Sequence, residues 1–263
     1  MLTVGSGINI GPGITLSKGV TGGSLLFSGA NSYLQSSPNN SATNTLLTLG
    51  DGNFTVECWL YISSSMVFTG INRSRLIGTY IDPVYKYKGF AFSLGKNWYT
   101  DSSPSIFWEY RGGYSEMRAT MPSTNQWHHI AVVRNGNTQT MYIDGNSVAN
   151  FTYNGSATEV APLLIGATIG GVEIPFSGNI NNIRIVKGVA VYTSNFTPPT
   201  QDLSAIQSAN VNGNPSAAIS SGQTALLMNT PNGANFLQDG SVNNISIVQG
   251  GNVNVTSSTS APF

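Results

Sequence analysis

Asparagine–glycine and aspartate–glycine dipeptides constrain the fold of this chain more than any other feature. In residues 126–148, two strand-length runs are separated by Asn135-Gly136, and the second run is followed by Asp144-Gly145. These dipeptides tolerate a positive φ at both central positions of a two-residue hairpin turn. The spacing therefore predicts an antiparallel meander with frequent tight turns, and not the helix-bearing core of an α/β enzyme.

Residues 54–62 show the strict two-residue alternation of a half-buried strand. One predicted face carries only apolar side chains, namely Phe54, Val56, Cys58, Leu60 and Ile62. Cys58 is the single cysteine of the chain, so the sequence allows no internal disulfide. Its place on the apolar face predicts an inert thiol in the core.

These segments resemble a known family. W-H-H-I-A, an Asn-Gly turn and Y-I-D-G together resemble the most recognisable part of laminin-G-like, concanavalin A-like lectin/glucanase domains. SLLFSGANSYLQS, FTVECWLY, WHHIAVV, YIDG, PLLIG and FSGNINNIRI follow in the family's order across residues 23–187. The resemblance implies an all-β fold, a concanavalin A-like jelly-roll sandwich. It does not settle function, because this fold carries lectins, hydrolases and structural modules alike.

Composition along the chain divides it into four parts. We predict a glycine-rich, extended N-terminal arm at 1–22, where the glycine density excludes a helix, and the sandwich at 23–200. Residues 201–222 have the small, polar composition of a linker, and 223–263 form a β-rich C-terminal extension. The arm and the extension carry few charges, so we expect one or both to add strands to a neighbouring subunit.

The low charge of the chain limits the classes of partner that it can bind. Only 8% of residues are charged and the formal net charge is zero, against about 25% charged in typical soluble domains. Neutral surfaces favour self-association, and nucleic-acid binding needs a basic footprint that this chain lacks. No run approaches the ~18 apolar residues of a membrane span, and the first residues lack the features of a secretory signal peptide. We therefore expect neither nucleic-acid binding nor membrane insertion.

A second resemblance concerns the biological context. FTVECWLY, IRIVKGVAVYTSNFTPPT and a tail ending in SAPF are similar to phrases of virion structural proteins from marine and cyanobacterial tailed phages. This implies a non-enzymatic protein on the virion surface, made in the host cytoplasm, as capsid decoration, head fibre or tail component. Its partners would be other virion proteins or copies of itself. The alternatives are an adhesin that binds a host surface glycan and, third, a glycoside hydrolase.

The sequence contains no clear motif for hydrolytic or nucleophilic catalysis. Glycoside hydrolysis needs two neighbouring carboxylates, which laminarinase relatives place on one strand, yet no two acidic residues here lie within five positions. A pair assembled from separate strands stays open. The two histidines, His128 and His129, point to opposite faces of one predicted strand, and the chain has no G-x-S-x-G elbow. We expect no catalytic residue.

The predicted contact surface lies in residues 73–118, which hold seven of the eleven basic residues and eight tyrosines or tryptophans. Tyr and Trp suit both sugar stacking and protein interfaces. We predict a ligand or partner surface formed by Lys96, Trp98, Tyr99, Trp108, Tyr110, Arg111 and Tyr114. The competing interpretation is that Trp108 and Tyr110, which share one face of a strand, belong to the core.

Metal binding is the remaining question. Laminin-G relatives often hold Ca²⁺ with carboxylate and carbonyl oxygens at one rim of the sandwich. Asp51 and Asp144 are the acids nearest to those loop positions, although an Asp before Gly is also ordinary turn chemistry. We predict no metal and no cofactor, with Ca²⁺ at these two residues as the alternative.

Overall fold

The computed structural model describes residues 23–29, 32–37, 40–69, 73–79, 89–96, 102–110, 116–158, 160–166, 174–229, 237–251 and 255–263, so the predicted arm at 1–22 lies outside the described residues. The described chain is nearly all β-strand, which confirms the predicted fold class. In chain order the strands are β1 (Ser24–Ser28), β2 (Ser32–Ser36), β3 (Phe54–Ile62), β4 (Arg73–Gly78), β5 (Phe90–Gly95), β6 (Ser105–Tyr110), β7 (Glu116–Thr120), β8 (Trp127–Asn135), β9 (Thr138–Ile143), β10 (Asn146–Thr152), β11 (Leu164–Ile165), β12 (Ser177–Lys187), β13 (Thr224–Met228), β14 (Ile247–Gly251) and β15 (Thr256–Ser258). Helix α1 (Ser41–Leu47) and a 3₁₀ turn (Val211–Gly213) accompany them.

The strands form two antiparallel sheets that share one hydrophobic core. Sheet A has the order β10-β9-β8-β3-β12-β1-β15, and β13 also pairs with β12. Sheet B has the order β14-β2-β11-β4-β5-β6-β7. This is the jelly-roll sandwich that the sequence predicts. Among the described residues, no helix is long and apolar enough to cross a membrane.

The two segments that predicted the fold behave as expected. All five apolar residues of β3 are buried in the shared core. Strands β8, β9 and β10 form the predicted meander. Asp144 and Gly145 at its second turn both have positive φ, 49° and 76°. At the first turn Asn135 is the last residue of β8, and Gly136 has a positive φ of 60°. Burial, together with the charge of the adjacent Glu57, raises the pKa of the Cys58 thiol.

The residues predicted to form a C-terminal extension complete both sheets of this chain. β13 pairs with β12, β14 with β2, and β15 with β1. On β12, a bulge between Asn181 and Arg184 separates the part that pairs with β1 from the part that pairs with β13. The tail therefore forms strands of its own chain's sandwich, while pairing of its edge strands β14 and β15 with a neighbouring subunit stays a prediction.

Residues 188–222, which we call the cover segment, lie against the outer face of sheet A. Val191, Tyr192, Phe196 and Ile219 are buried there. The predicted linker at 201–222 is part of this segment. Its polar composition is compatible with packing because side-chain amides bond the backbone, for example from Gln207 Nε2 to the Ala217 carbonyl at 2.9 Å.

Candidate functional site

The outer face of sheet A consists of a covered half and an open half. Beneath the cover segment, Glu57, His129 and Arg184 are fully buried. Beyond its edge, the same face carries Tyr61 and Trp127, both half-buried. We call this open half the aromatic surface, and define it by Leu26, Trp59, Tyr61, Trp127 and Asn179.

Strand register assembles the aromatic surface from four strands. Tyr61 on β3 lies directly opposite Trp127 on β8, with ring centroids 5.7 Å apart and planes inclined by 60°. Asn179 on β12 lies opposite Tyr61, and its Nδ2 donates to Ser24 Oγ at 2.9 Å. Leu26 on β1 lies opposite Asn179 and is 38% exposed. Because alternate residues of a strand share a face, these side chains all point outward.

Trp59 lies at the boundary between the two halves. Its ring meets His129 edge-on at 5.3 Å and Phe263 edge-on at 6.1 Å. Trp59 is 9% exposed, whereas Phe263 is 40% exposed. Within the described residues, the buried Trp59 Nε1 has no hydrogen-bond partner. An indole N–H can only donate, so this buried atom needs an acceptor that the described residues do not supply.

The chemistry of the aromatic surface follows from these side chains. None of the five defining residues carries a charge. Tyr and Trp offer a rigid apolar ring with a polar tip. The Asn179 amide adds its oxygen as an acceptor, since its Nδ2 already donates to Ser24. Such a surface can stack against the apolar face of a sugar ring and bond its hydroxyl groups. It offers nothing that would compensate the charge of an ionic ligand.

The covered half holds an ion pair with its hydrogen-bond partners. Arg184 Nη2 lies 2.6 Å from Glu57 Oε1, and Arg184 Nε donates to the same oxygen at 2.8 Å. Tyr192 donates its hydroxyl to Glu57 Oε2 at 3.0 Å, and His129 Nε2 lies 3.1 Å from that oxygen. Burial disfavours the Glu57 charge, but Arg184 and His129 outweigh it and hold the pKa of this carboxyl at about 2. These contacts occupy both oxygens, so the cluster joins the cover segment to the sheet.

Sheet B brings together two carboxylates that are distant in sequence. Glu109 on β6 lies directly opposite Glu116 on β7. Arg73 Nη1 contacts Glu109 at 3.0 Å and Glu116 at 2.8 Å, and Arg75 also pairs with Glu109. The Arg73 guanidinium lies 3.8 Å from the centre of the Phe107 ring. The paired carboxylates thus have two guanidinium groups as counter-charges.

The structure corrects two residues of the predicted contact surface. Trp108 and Tyr110 are fully buried in the core. Trp108 donates its Nε1 to Gln139 Oε1 at 2.7 Å. The Tyr110 hydroxyl donates to the Gly50 carbonyl and accepts from Arg134 at 2.7 Å. Both aromatic residues can be buried because their polar atoms find partners inside the protein.

The other predicted contact residues are only partly described. Lys96 follows the end of β5 and is half-buried. Its part in a contact surface stays a prediction. Four further predicted contact residues lie outside the described residues, namely Trp98, Tyr99, Arg111 and Tyr114.

The candidate calcium ligands, Asp51 and Asp144, differ in their surroundings. Both carboxylate oxygens of Asp144 are engaged, Oδ1 by the His129 backbone N–H at 2.9 Å and Oδ2 by His128 Nδ1 at 2.6 Å. Asp51 is exposed on a loop. In the described part of the chain, no three His, Cys, Asp or Glu side chains group so that they could hold a metal ion. These bonds and the positive φ of Asp144 support the turn interpretation, and Ca²⁺ binding at Asp51 and Asp144 stays an untested alternative.

Sequence reasoning did not identify Tyr61 and Trp127 as site residues. The alternation of β3 does place Tyr61 on the face away from the core. Trp127, however, is the first residue of β8, and only the pairing of β3 with β8 shows that it lies beside Tyr61. Sequence spacing can predict contacts between the two strands of a hairpin. It does not predict this contact, because β3 and β8 are far apart in sequence.

Comparison with known proteins agrees with this architecture. The model of the concanavalin A-like lectin/glucanases superfamily matches residues 28–191. No curated protein sequence matches the chain. A solved structure from Bacteroides ovatus, of a protein proposed to bind carbohydrate, is similar with a TM-score of 0.58 and 17% identity. The similarity covers 90% of this chain and 59% of the Bacteroides ovatus chain, so this chain spans little more than half of that protein.

Two further solved structures are more distantly similar. Mouse laminin alpha1 domains LG4-5 match with a TM-score of 0.45 and 13% identity, over 66% of this chain and 45% of theirs. A Ruminococcus gnavus sialidase CBM40 bound to α2,3 sialyllactose matches with a TM-score of 0.44 and 12% identity. That match covers 60% of this chain and 85% of the CBM40 domain.

Proposed function

This chain belongs to the concanavalin A-like lectin/glucanases superfamily, and we propose that it is a non-catalytic carbohydrate-binding protein whose aromatic surface holds a neutral glycan. The observation that carries the proposal is the pair of half-buried rings, Tyr61 and Trp127, on the sheet face beyond the cover segment. The Asn179 amide lies beside them and is 6% exposed. The carbohydrate binding proposed for the Bacteroides ovatus protein is in line with this function.

Because the aromatic surface carries no charge, we expect its ligand to be an uncharged sugar. The five residues of the aromatic surface offer rings, an amide and an aliphatic side chain, and no guanidinium or ammonium group. An acidic sugar would lose hydration of its carboxylate without gaining a counter-charge there. We therefore expect neutral hexoses or their oligomers to bind, and acidic sugars to bind less well.

Alanine substitution of the two rings tests the site. Glycan-array binding and titration calorimetry should show binding of neutral glycans by the wild-type protein, and at least tenfold weaker binding by Tyr61→Ala and Trp127→Ala. The matched control is Trp98→Ala with Tyr99→Ala, which removes the aromatic pair favoured by the sequence. Loss of binding in that control, with wild-type affinity in the Tyr61 and Trp127 variants, would place the site elsewhere.

A hydrolytic function has less support. Glu109 and Glu116 are paired across β6 and β7, but both are bound to Arg73. Both carboxylates are engaged in ion pairs, whereas hydrolysis needs one carboxyl group as the general acid and the other as nucleophile or base. Assays of reducing-sugar release from neutral polysaccharides should give no signal above background. Release that disappears in Glu109→Gln would establish the hydrolase alternative.

Assembly into a virion surface is the second candidate function. It rests on the resemblance to phage structural proteins, and one structural observation favours association. β10 at the edge of sheet A and β14 at the edge of sheet B carry no charged residue. Charged side chains on edge strands commonly prevent pairing with other chains. Neighbouring copies or other virion proteins would then cover these edges.

Sedimentation velocity over a range of concentrations tests the assembly function. Val148 on β10 is 42% exposed, so Val148→Lys adds a charge to this edge without disturbing the core. Wild-type oligomers that dissociate in this variant would support assembly through β10. A wild-type protein that stays monomeric at every concentration would argue against self-assembly, whatever the result of the glycan experiments.

A further inference from the structure

The cover segment contains a cavity of about 260 Å³ that shares no residue with the aromatic surface. Its buried base includes Tyr192, Leu203 and Ser216. Ile206 and Val211 line it with aliphatic side chains that are 57% and 37% exposed. The volume lies just below the range of drug-sized ligand sites, about 300–1,000 Å³, so it suits one small molecule. We call it the cover pocket.

Asp202 lines the cover pocket, and a buried residue of the underlying strand β12 holds its side chain in place. Asn182 lies in the β12 bulge with a φ of 51° and is fully buried. Its Nδ2 donates to Asp202 Oδ1 at 3.0 Å, and its Oδ1 accepts from the Leu203 backbone N–H at 2.7 Å. Within the described residues, Asp202 Oδ2 has no hydrogen-bond partner. The bulge therefore orients an exposed carboxylate that keeps one free oxygen.

The base of the cover pocket is rigid for a second reason. Arg184, neutralised by Glu57, donates to the Ser204 carbonyl and to Gln207 Oε1, both at 2.8 Å. Ser204 and Gln207 line the cavity. Groups that are fixed before a ligand arrives lose little freedom on binding, which is the requirement for a specific site.

We propose that the cover pocket binds a small ligand that carries a primary ammonium group. Asp202 is the one charged side chain among the described residues that line the cavity, so the site favours a cation. An ammonium group can donate a charge-assisted hydrogen bond to Asp202 Oδ2. The aliphatic side chains of Ile206 and Val211 would contact the body of the ligand. This site is independent of the glycan site proposed above.

Two ligand sources share this chemistry, an amino sugar and a simple alkylamine, and paired probes separate them. Glucosamine is compared with N-acetylglucosamine, and butylammonium with 1-butanol, by chemical-shift titration of the labelled protein at neutral pH. In each pair the second compound lacks the cation. We expect shifts of the Leu203 and Ser204 amides with at least one charged probe, and at least tenfold weaker binding of its neutral counterpart.

The decisive variant is Asp202→Asn, which keeps an oxygen for the Asn182 bond and removes the charge. It should weaken binding of the charged probe at least tenfold, whereas Asp51→Asn, on an exposed loop, should leave it unchanged. Binding of glucosamine alone supports an amino sugar, and binding of both charged probes supports a general amine site. Equal binding of charged and neutral probes, unchanged affinity in Asp202→Asn, or no shift with either charged probe overturns the proposal.

Discussion

Glu57 on β3 and Arg184 on β12 form a fully buried ion pair, with Arg184 Nη2 2.6 Å from Glu57 Oε1. The pair lies between sheet A and the cover segment, and Arg184 also bonds the Ser204 carbonyl. A buried charge left without its partner is strongly destabilising. The attachment of the cover segment should therefore depend on both residues.

Replacing Glu57 by glutamine should lower the free energy of unfolding by about 3–5 kcal/mol, because it leaves the Arg184 charge uncompensated. Urea denaturation followed by circular dichroism measures the change. In the double variant Glu57→Gln with Arg184→Met, the uncompensated charge is gone and an acceptor for Tyr192 remains, so most of the loss should be recovered. A double variant as unstable as the single one would mean that the charge is not the cause.

Acid should destabilise the protein through the same carboxyl group. The pKa of Glu57 is lowered from its usual 4.5 to about 2 in the folded state. A lowered pKa gives stability that is complete above pH 4.5 and is lost as the pH falls towards 2. The loss from this group should be about 3 kcal/mol. Unfolding free energies measured from pH 7 down to pH 2 should show it, with a shallower dependence in the double variant.

Trp108→Ala should destabilise the fold by about 3–5 kcal/mol, since it removes a large, fully buried ring from the core. Trp108→Phe keeps most of the ring but leaves Gln139 Oε1 without its donor, so about 1–3 kcal/mol should be lost. Thermal and urea denaturation measure both changes. Lys96→Ala, at the half-buried end of β5, is the control and should change stability by less than about 0.5 kcal/mol. A stable Trp108→Ala protein would restore the contact-site interpretation.

Asp239 should hold the end of the chain in place. It is 4% exposed and accepts from the backbone N–H groups of Leu227, Ser241 and Ile245 at 2.8–2.9 Å. Asp239→Ala leaves these donors buried without an acceptor, so at least about 2 kcal/mol should be lost. Hydrogen exchange should accelerate first in β13. Ser241→Ala is the milder control, because it removes the hydroxyl that bonds Asp239, Ala225 and Asn243 but leaves the three backbone bonds of the Asp239 carboxylate intact.

Local patterns in the sequence predicted the fold well. Alternation in residues 54–62 identified β3 and its buried face, and the Asn135-Gly136 and Asp144-Gly145 turns identified the β8–β10 meander. Both signals act over a few residues, so they can be read without knowing the partners of each strand.

The candidate sites depended on contacts between distant segments. Tyr61 and Trp127 become neighbours only through the register of β3 and β8, and Glu109 faces Glu116 only through that of β6 and β7. Trp108 was ambiguous from sequence because its burial depends on Gln139, which lies on another strand. The polar composition of residues 201–222 suggested a linker. In the structure the Gln207 side chain donates to the Ala217 carbonyl and accepts from Arg184, so this polar segment packs against the sheet.

The position of β1 between β12 and β15 has a consequence for how the protein folds. The first described strand has no partner within its sheet until strands from the far end of the chain are available. Closing such long loops slows folding, since their entropy is lost before the contacts form. During synthesis β1 would stay unpaired until β12, which ends at Lys187, has been translated, and its second partner β15 follows only near the end of the chain. Folding should therefore be largely post-translational, and nascent chains that lack β12 should need protection from aggregation.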